Sequence, residues 1–598
     1  MRLRSLWVSR LVLSLMLLAT VGSPIVAAQD ATPEGSPVVE TSPDASPVTD
    51  ASPAADASPV AASCVPGPSV TAAEQIALDE ERYEIEQPAN TEGTYVTGTI
   101  GDLQSVNPYI VEEQTSLAVV GYIFDTLTGG DSQTGQPVPG GVTDHWVLGE
   151  DCVTYTFHLR QDKVWHDGTP FTSADVAFSF ESLSDPALAS PYTGSFLDAV
   201  ASWNVIDDYT IEIVSNGVRA DFLNNAAFFI IPKHIWESVP RDQWATDPGS
   251  TGQDTSRVVG TGPFTFQSWE QGQEIRLARY EGYTPRPAWI SEVVLRIFAD
   301  SEAQLNAFLT GELDDIGLEP EQVSVVEADT DQFSIEAYPY RGFTYYEFNL
   351  NPDTTVRFQD VRVRQAFMWA IDRQSIVDNI LLGYGEVANG TQPSISYAYA
   401  PDQIDTIYTY DPDRARALLA EAGWTDTNGD GTVDKDGVEM AFEFLYPSGS
   451  ATNDTLVAYL QDAWSQVGIG ITPIAMEFSA LIEATTTNPT FEMALYGFGW
   501  DSTFIQDVMF ACDMYQIGFN DMKYCNPELD ALGEQIKVTV DQDQRRALMI
   551  QYSNIVNEEQ PVGIINFSVQ IAAWNNRVHN YFPNAWGGLG VTYIWIEE

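Results

Sequence analysis

A chain of 598 residues is long enough for about two to four domains, which excludes a disulfide-stapled miniprotein or a single peptide-sized module. With 44% hydrophobic and 12% aromatic residues most of it must fold. Lys+Arg 27 against Asp+Glu 85 gives a formal net charge of -58, a surface that repels phosphate backbones and anionic headgroups, so nucleic acid is not an expected partner.

Residues 1–28 carry Arg2, Arg4 and Arg10, an apolar run from Leu11 to Ala19, and Val26-Ala27-Ala28, the pattern of a secretory signal peptide. The run is shorter than the ~20 residues a spanning helix needs, and whether the segment is cleaved or kept as an anchor stays open. From Gln29 to Ser69 the chain repeats Ser-Pro, at Ser36-Pro37, Ser42-Pro43, Ser46-Pro47, Ser52-Pro53 and Ser58-Pro59, and cannot bury a core. That stretch reads as a disordered, solvated linker stiffened by proline.

Four cysteines in an exported chain allow two bridges. Cys512 and Cys525 are close in sequence among turn formers and are the expected pair. Cys64 and Cys152 are the remainder, with modification of Cys64 as the weaker alternative. Five histidines without a Cys-x-x-Cys leave no zinc-ligand pattern.

Beyond Thr94, strand-like runs (Thr154 to Leu159, Thr210 to Val214, Ile275 to Leu277, Val293 to Phe298, Thr344 to Leu350) alternate with helical ones, which predicts an α/β chain. Helix starts are signalled by capping boxes at Thr172 to Asp175 and Ser301 to Gln304, and by Asp411-Pro412. After Asp360, apolar residues at helical spacing (Val363, Phe367, Ala370, Ile371, Val377, Ile380, Leu381) predict one long core helix ending at Gly383. Further helices are predicted from Ala415 to Ala422 and through Leu456, Leu460 and Trp464 to Gly468.

His166-Asp167-Gly168 reads as a turn ahead of a helix cap, since no nucleophile accompanies the histidine. Gly260-Thr261-Gly262-Pro263 lacks the lysine of a phosphate loop and leads into a strand. Asp426, Asn428, Asp430, Thr432 and Asp434 fall at the spacing of a calcium loop with Gly431 at position 6, but position 12 is Gly437 where a bidentate Glu belongs. Two readings stand for that loop: a weak structural Ca²⁺ site, or a plain Asx/Gly turn.

Four blocks in order carry a family resemblance. They are Lys163 to Thr172 running into Asp175-Val176; Val259-Gly260-Thr261-Gly262-Pro263-Phe264 with Tyr280 to Tyr283; Phe348-Asn349-Leu350 with Val361 to Ala366 and Ala370-Ile371-Asp372-Arg373; and Tyr410 to Asp413 through Leu418-Leu419 to Trp424. Together they resemble the dipeptide/oligopeptide-type extracellular solute-binding proteins of ABC importers, over nearly everything from Gly93 to Glu598. The resemblance implies a two-lobe, type II periplasmic-binding-protein-like fold with mixed sheets flanked by helices and an enlarged N-terminal lobe. Lobe I would span 93–346 and be rejoined by 565–598, and lobe II would span 347–564, with the ligand between them.

The same resemblance singles out Trp500-Asp501, where a carboxylate would meet a ligand ammonium group; a solvated loop Asp is the alternative. The loop that offers a cation to the ligand carboxylate in peptide-binding relatives is here Tyr446 to Ser450, without Arg or Lys, and Arg341 is the candidate substitute, against an ion-paired surface Arg. The expected function is capture of a peptide or similar small solute, with delivery to an ABC permease and its ATPase subunits. The protein would be periplasmic or cell-surface and monomeric, would require no cofactor and would do no bond chemistry. A secreted hydrolase and a ligand-sensing or adhesive ectodomain are the rival readings.

Overall fold

The computed structural model describes residues 70–111, 114–476, 478–487, 489–515 and 519–597. The expected signal segment, the Ser-Pro linker and Cys64 lie outside the described residues.

The N-terminal half contains two four-stranded sheets among the described residues. In the first, Thr94–Thr99 lies parallel to Glu292–Ile297, followed by Glu274–Arg279 and Phe264–Glu270 in antiparallel order. The second runs Thr143–Leu148, Thr154–Leu159, Thr210–Ser215, Val200–Asp207, all antiparallel. Strands Thr154–Leu159 and Thr210–Ser215 bury every second residue, as a sheet with one covered face requires. Their inward side chains, Phe157 and Ile211 among them, join Trp165, Phe171, Phe180 and Trp244 in one fully buried core.

A seven-stranded mixed sheet connects this half to the next. Its order is Asp315–Gly317, Val562–Asn575, Phe333–Phe348, Met493–Gly499, Ala441–Pro447, Gly470–Met476, with Gly385–Val387 added beside Val562–Asn575. Two long strands, of 16 and 14 residues, carry the chain across. Phe333 to Pro339 pairs with Val569 to Asn575, and Phe343 to Glu347 pairs with Val562 to Phe567, with register shifts between Pro339/Phe343 and Thr344/Tyr345. Such shifts bend a strand and add local twist. The lobe boundaries expected from sequence, 346/347 and 564/565, fall inside these two strands.

The second half packs helices around Trp464, whose ring meets those of Tyr346, Phe367 and Phe444 near edge-on at 5.2, 5.0 and 5.7 Å. Its indole N–H donates to Phe367 O at 3.1 Å, so the one polar atom buried with the ring is satisfied.

Two expectations need correction. The single helix after Asp360 is two, Val361–Trp369 and Arg373–Asn379, because Asp372 accepts from the Ser375 N–H at 3.0 Å and starts a new helix. Gly383 still closes the segment, with φ 91°. The helix Ser301–Leu309 is capped one residue earlier than expected: Asp300 accepts from the Ala303 N–H at 2.8 Å and leaves Ser301 as the first helical residue.

Two motifs are turns held by packing. A Cβ at Gly260 would lie 1.8 Å from Ile123 O, so the glycine is there for close backbone approach, and the chain continues into Phe264–Glu270. His166 is clamped between the Gly260 N–H, which donates to Nδ1 at 3.2 Å, and Gly262 O, 3.0 Å from Nε2. Burial pushes its pKa down to about 4, so the ring is neutral at physiological pH.

Candidate functional site

The site is the seam where the two halves meet beside the crossover strands. Strand Met493–Gly499 runs antiparallel to the end of Phe333–Phe348, placing Gly499 opposite Gly342 and delivering Trp500 beside Arg341. The two residues bond reciprocally: the Trp500 N–H donates to Arg341 O at 3.1 Å, and Arg341 Nη1 donates to Trp500 O at 3.2 Å. Trp500 is buried against Phe343 and Phe498, with ring centroids 5.2 and 5.1 Å away, and its indole N–H donates to Thr391 O at 3.0 Å. The ring therefore anchors the segment around Thr391 to the end of the strand.

Asp501 is exposed, and its Oδ1 accepts from the Thr503 N–H at 2.9 Å and the Thr503 hydroxyl at 2.5 Å. That Asx-type turn aims Ser502 at the N-terminal half. The Ser502 hydroxyl accepts from the Asn224 side-chain amide, and Ser502 O accepts from the Gln136 amide. Close by, the Ala220 N–H donates to Lys537 O at 2.7 Å, and Lys537 pairs with Asp507 at 2.5 Å. Burial raises the Asp507 carboxyl, and the lysine ammonium opposes the rise.

The Arg341 guanidinium lies over the ring of Trp586, 5.4 Å from its centroid, and Trp586 meets Phe504 edge-on at 6.1 Å. Trp586 belongs to the C-terminal segment that returns to the first half, and it rests on Gly135, where a Cβ would come within 2.2 Å of the ring. Arg341 makes no salt bridge among the described residues, so its charge is held by aromatic faces and the Trp500 carbonyl.

Two cavities flank the crossover strands. One of about 470 Å³ is bordered by Leu318, Thr344, Leu381, Thr452 and Asn566. The other, about 360 Å³, is bordered by Tyr95, Tyr122, Asp315, Tyr338 and Tyr581. A larger groove of about 950 Å³ lies elsewhere, lined by Ala72, His145, His158, Arg160 and Asp207, all from the N-terminal half, so it is not a cleft between the halves.

The sequence singled out Trp500, Asp501 and Arg341, and the structure brings Trp500 and Arg341 into contact with Asp501 turned outward beside them. It missed Gln136, Asn224, Ser502 and Trp586, which come from separate stretches; the Trp586-Gly587-Gly588 cluster was the only local signal. Cys512 and Cys525 form a disulfide, and Cys152 is half of another, whose expected partner Cys64 is outside the described residues.

In the 426–434 loop, Asp426 accepts from the Gly429 and Gly431 N–H groups at 2.6 and 3.0 Å, Asn428 from Asp430 N–H at 2.9 Å and Asp430 from Thr432 N–H at 2.8 Å. Asp434 accepts from the Thr427 N–H at 2.8 Å and from its hydroxyl at 2.7 Å. Thr432 contributes its amide to this chain of turns. The loop's oxygens are thus engaged with its own backbone, and no three of its carboxylates converge as a metal-ligand group among the described residues.

The fold is thus one of two halves tied by paired crossover strands, with a seam of polar and aromatic contacts beside them. Residues 136–515 match the family described as bacterial extracellular solute-binding proteins, family 5 Middle, and the chain belongs to that family. It is 27% identical over 496 residues, 82% of this chain and 89% of its relative, to the oligopeptide-binding protein AppA of Bacillus subtilis. It is 25% identical to heme-binding protein A of Haemophilus influenzae, covering 86% of this chain and 94% of that one. The solved structure of Bacillus subtilis AppA in complex with a nonapeptide superposes with a TM-score of 0.74 at 24% identity, over 86% of this chain and all of that one. The fold is accordingly the type II periplasmic-binding-protein-like one. No described helix is long and apolar enough to cross a membrane.

Proposed function

We propose that this protein captures a peptide, or a similar amine-bearing small solute, between its halves outside the cell membrane and delivers it to an ABC permease driven by separate ATPase subunits. The observation that carries this reading is how little joins the halves at the seam. Apart from the two crossover strands with their register shifts, the contacts across it among the described residues are local ones, such as Gln136 and Asn224 on Ser502, the Ala220 N–H on Lys537 O, Thr452 on Glu321, and Trp586 on Phe504. Contacts of this kind form and break as rigid halves rotate about a hinge. A solute that binds the closed arrangement better than the open one shifts the population by that differential affinity, and the permease reads the closed form.

The oligopeptide-binding relative and the nonapeptide-bound structure support a peptide, and the absence of Arg or Lys from Tyr446 to Ser450 favours one not held by a terminal carboxylate at that loop. The Ser-Pro stretch ahead of residue 70 serves in this reading as a spacer from the membrane surface.

Calorimetry of the purified protein with di-, tri- and nonapeptides, heme and a nickel–histidine chelate tests the proposal. Peptide binding accompanied by compaction in small-angle scattering is expected. Binding of none of the peptides, or recovery of a cleaved peptide by mass spectrometry, would overturn it, the latter in favour of a hydrolase.

A further inference from the structure

Asp314 and Asp315 are neighbours with opposite fates. Asp314 is fully engaged: it accepts from the Val96 N–H at 2.7 Å and pairs with Arg577 at 2.7 Å. Asp315 opens the short strand Asp315–Gly317 and borders the 360 Å³ cavity. Its Oδ2 accepts from the Tyr581 hydroxyl at 3.0 Å, while its Oδ1 is buried and accepts no hydrogen bond of good geometry. Among the described residues no Lys, Arg or His lies within salt-bridge distance of it. Burial raises its pKa, and the hydroxyls of Thr97, Tyr581 and Tyr95 pull the other way. The carboxylate thus has hydroxyls around it but no counter-ion, and a carboxylate held out of water without one favours an incoming cation.

The rest of the wall is aromatic. Tyr95, Tyr122, Tyr338 and Tyr581 border the same space, and burial pushes the Tyr122 and Tyr338 hydroxyls up to about 12, so both stay neutral. Neutral aromatic rings around a carboxylate attract an organic cation through ring faces and charge together. At about 360 Å³ the space is near the lower end for small-molecule sites, suited to one side chain or head group rather than a whole oligopeptide. The cavity is lined from the first half, including Tyr338 on a crossover strand and the returning C-terminal segment, and it abuts the seam: Asn584 and Gly587 in its wall flank Trp586, which reaches Arg341 on the crossover strand and Phe504 of the other half. A net charge of -58 further concentrates cations around the molecule.

We propose that this cavity receives a positively charged organic group of the solute, an ammonium or guanidinium, with Asp315 as its counter-ion and the four tyrosines around its apolar stem. The inference rests on the reading of the protein as a solute binder that closes at this seam, and it adds the class of solute: one with a basic side chain or head group.

The test compares trilysine with the near-isosteric tri-norleucine peptide, and free arginine with citrulline, by calorimetry on the wild-type protein, Asp315→Asn and Tyr338→Leu. In the wild type the charged member of each pair is expected to bind about tenfold or more tightly than the neutral one. Asp315→Asn, checked for an unchanged melting profile, is expected to bring that ratio below about threefold. Tyr338→Leu, which leaves the carboxylate in place, is expected to narrow it in part.

Equal binding of charged and neutral members by the wild type, or a ratio unaltered in Asp315→Asn, overturns the inference and leaves the peptide reading standing. Asp315-dependent binding of arginine with no peptide binding keeps the inference and removes the peptide reading. Binding of neither pair overturns the inference too.

Discussion

Glu347 offers a sharp test of how this protein carries its acidity. It sits in the crossover strand Phe333–Phe348, 1% exposed, with neither carboxylate oxygen hydrogen-bonded. Burial lifts its pKa well above 4.5, and the nearby Asp521 adds to the rise. A carboxyl raised in the folded state binds more protons there than in the unfolded chain, so its contribution to stability is complete below the unfolded pKa and is lost as pH climbs through the folded one. Each pH unit in that window costs about 1.4 kcal/mol. Glu347→Gln keeps the shape and removes the titration. Urea melts of both proteins from pH 4 to 7 are expected to start nearly coincident, then diverge with the variant more stable by about 2 kcal/mol at pH 6. A difference that does not change between pH 4 and 7 would refute the argument, since it would mean that the carboxyl titrates alike in both states.

Ser502→Ala and Asn224→Ala each remove one hydrogen bond made only when the halves meet, worth about 1 kcal/mol, so each is expected to weaken peptide binding about fivefold. The double variant should be no weaker than either single one; simple additivity would mean that the two side chains act separately. Replacing Cys512 and Cys525 by Ser opens a 13-residue loop and is expected to cost about 3 kcal/mol, read as a lower urea midpoint, with an unchanged midpoint as the contrary result. Gly260→Ala forces a methyl into Ile123 O and should destabilise by more than about 3 kcal/mol, whereas Gly168→Ala, at φ 86° with nothing near, should cost about 1 kcal/mol; equal costs would contradict the packing argument.

What the sequence made legible was local chemistry. Asp175 accepts from the Thr172 N–H at 3.0 Å and Asp411 from the Arg414 N–H at 2.9 Å, because cap residues answer to neighbours three positions away. The strands on either side of the crossings were legible for a similar reason: Thr154–Leu159 and Thr210–Ser215 alternate, while Phe343 to Phe348, four aromatics with Thr344 and Glu347, is buried at every position but Thr344 as it passes between covered faces. The break at Asp372 was missed because the apolar spacing continues through it: Ala370 and Ile371, between the two helices, and Val377, in the second, are all buried. Periodicity reports which face is covered and says little about whether the backbone turns between two covered stretches.

The seam was least legible, and the reason is where its residues come from. Gln136, Asn224, Arg341, Ser502 and Trp586 are ordinary polar and aromatic residues on five distant segments, and each has a full local explanation without the others. A surface that must open and close cannot advertise itself by hydrophobic periodicity, since an apolar stripe there would hold the halves shut. It is built instead from few hydrogen bonds and aromatic faces, each weak enough to break and jointly dependent on the crossover strands for alignment. Asp315 shows the same logic: beside Asp314 in sequence it looks like one more acid of 85, and only the fold shows that Arg577 and Val96 satisfy one carboxylate and leave the other facing a ring of tyrosines. The specificity of a cleft binder lies in such leftover groups, which folding positions but does not neutralise.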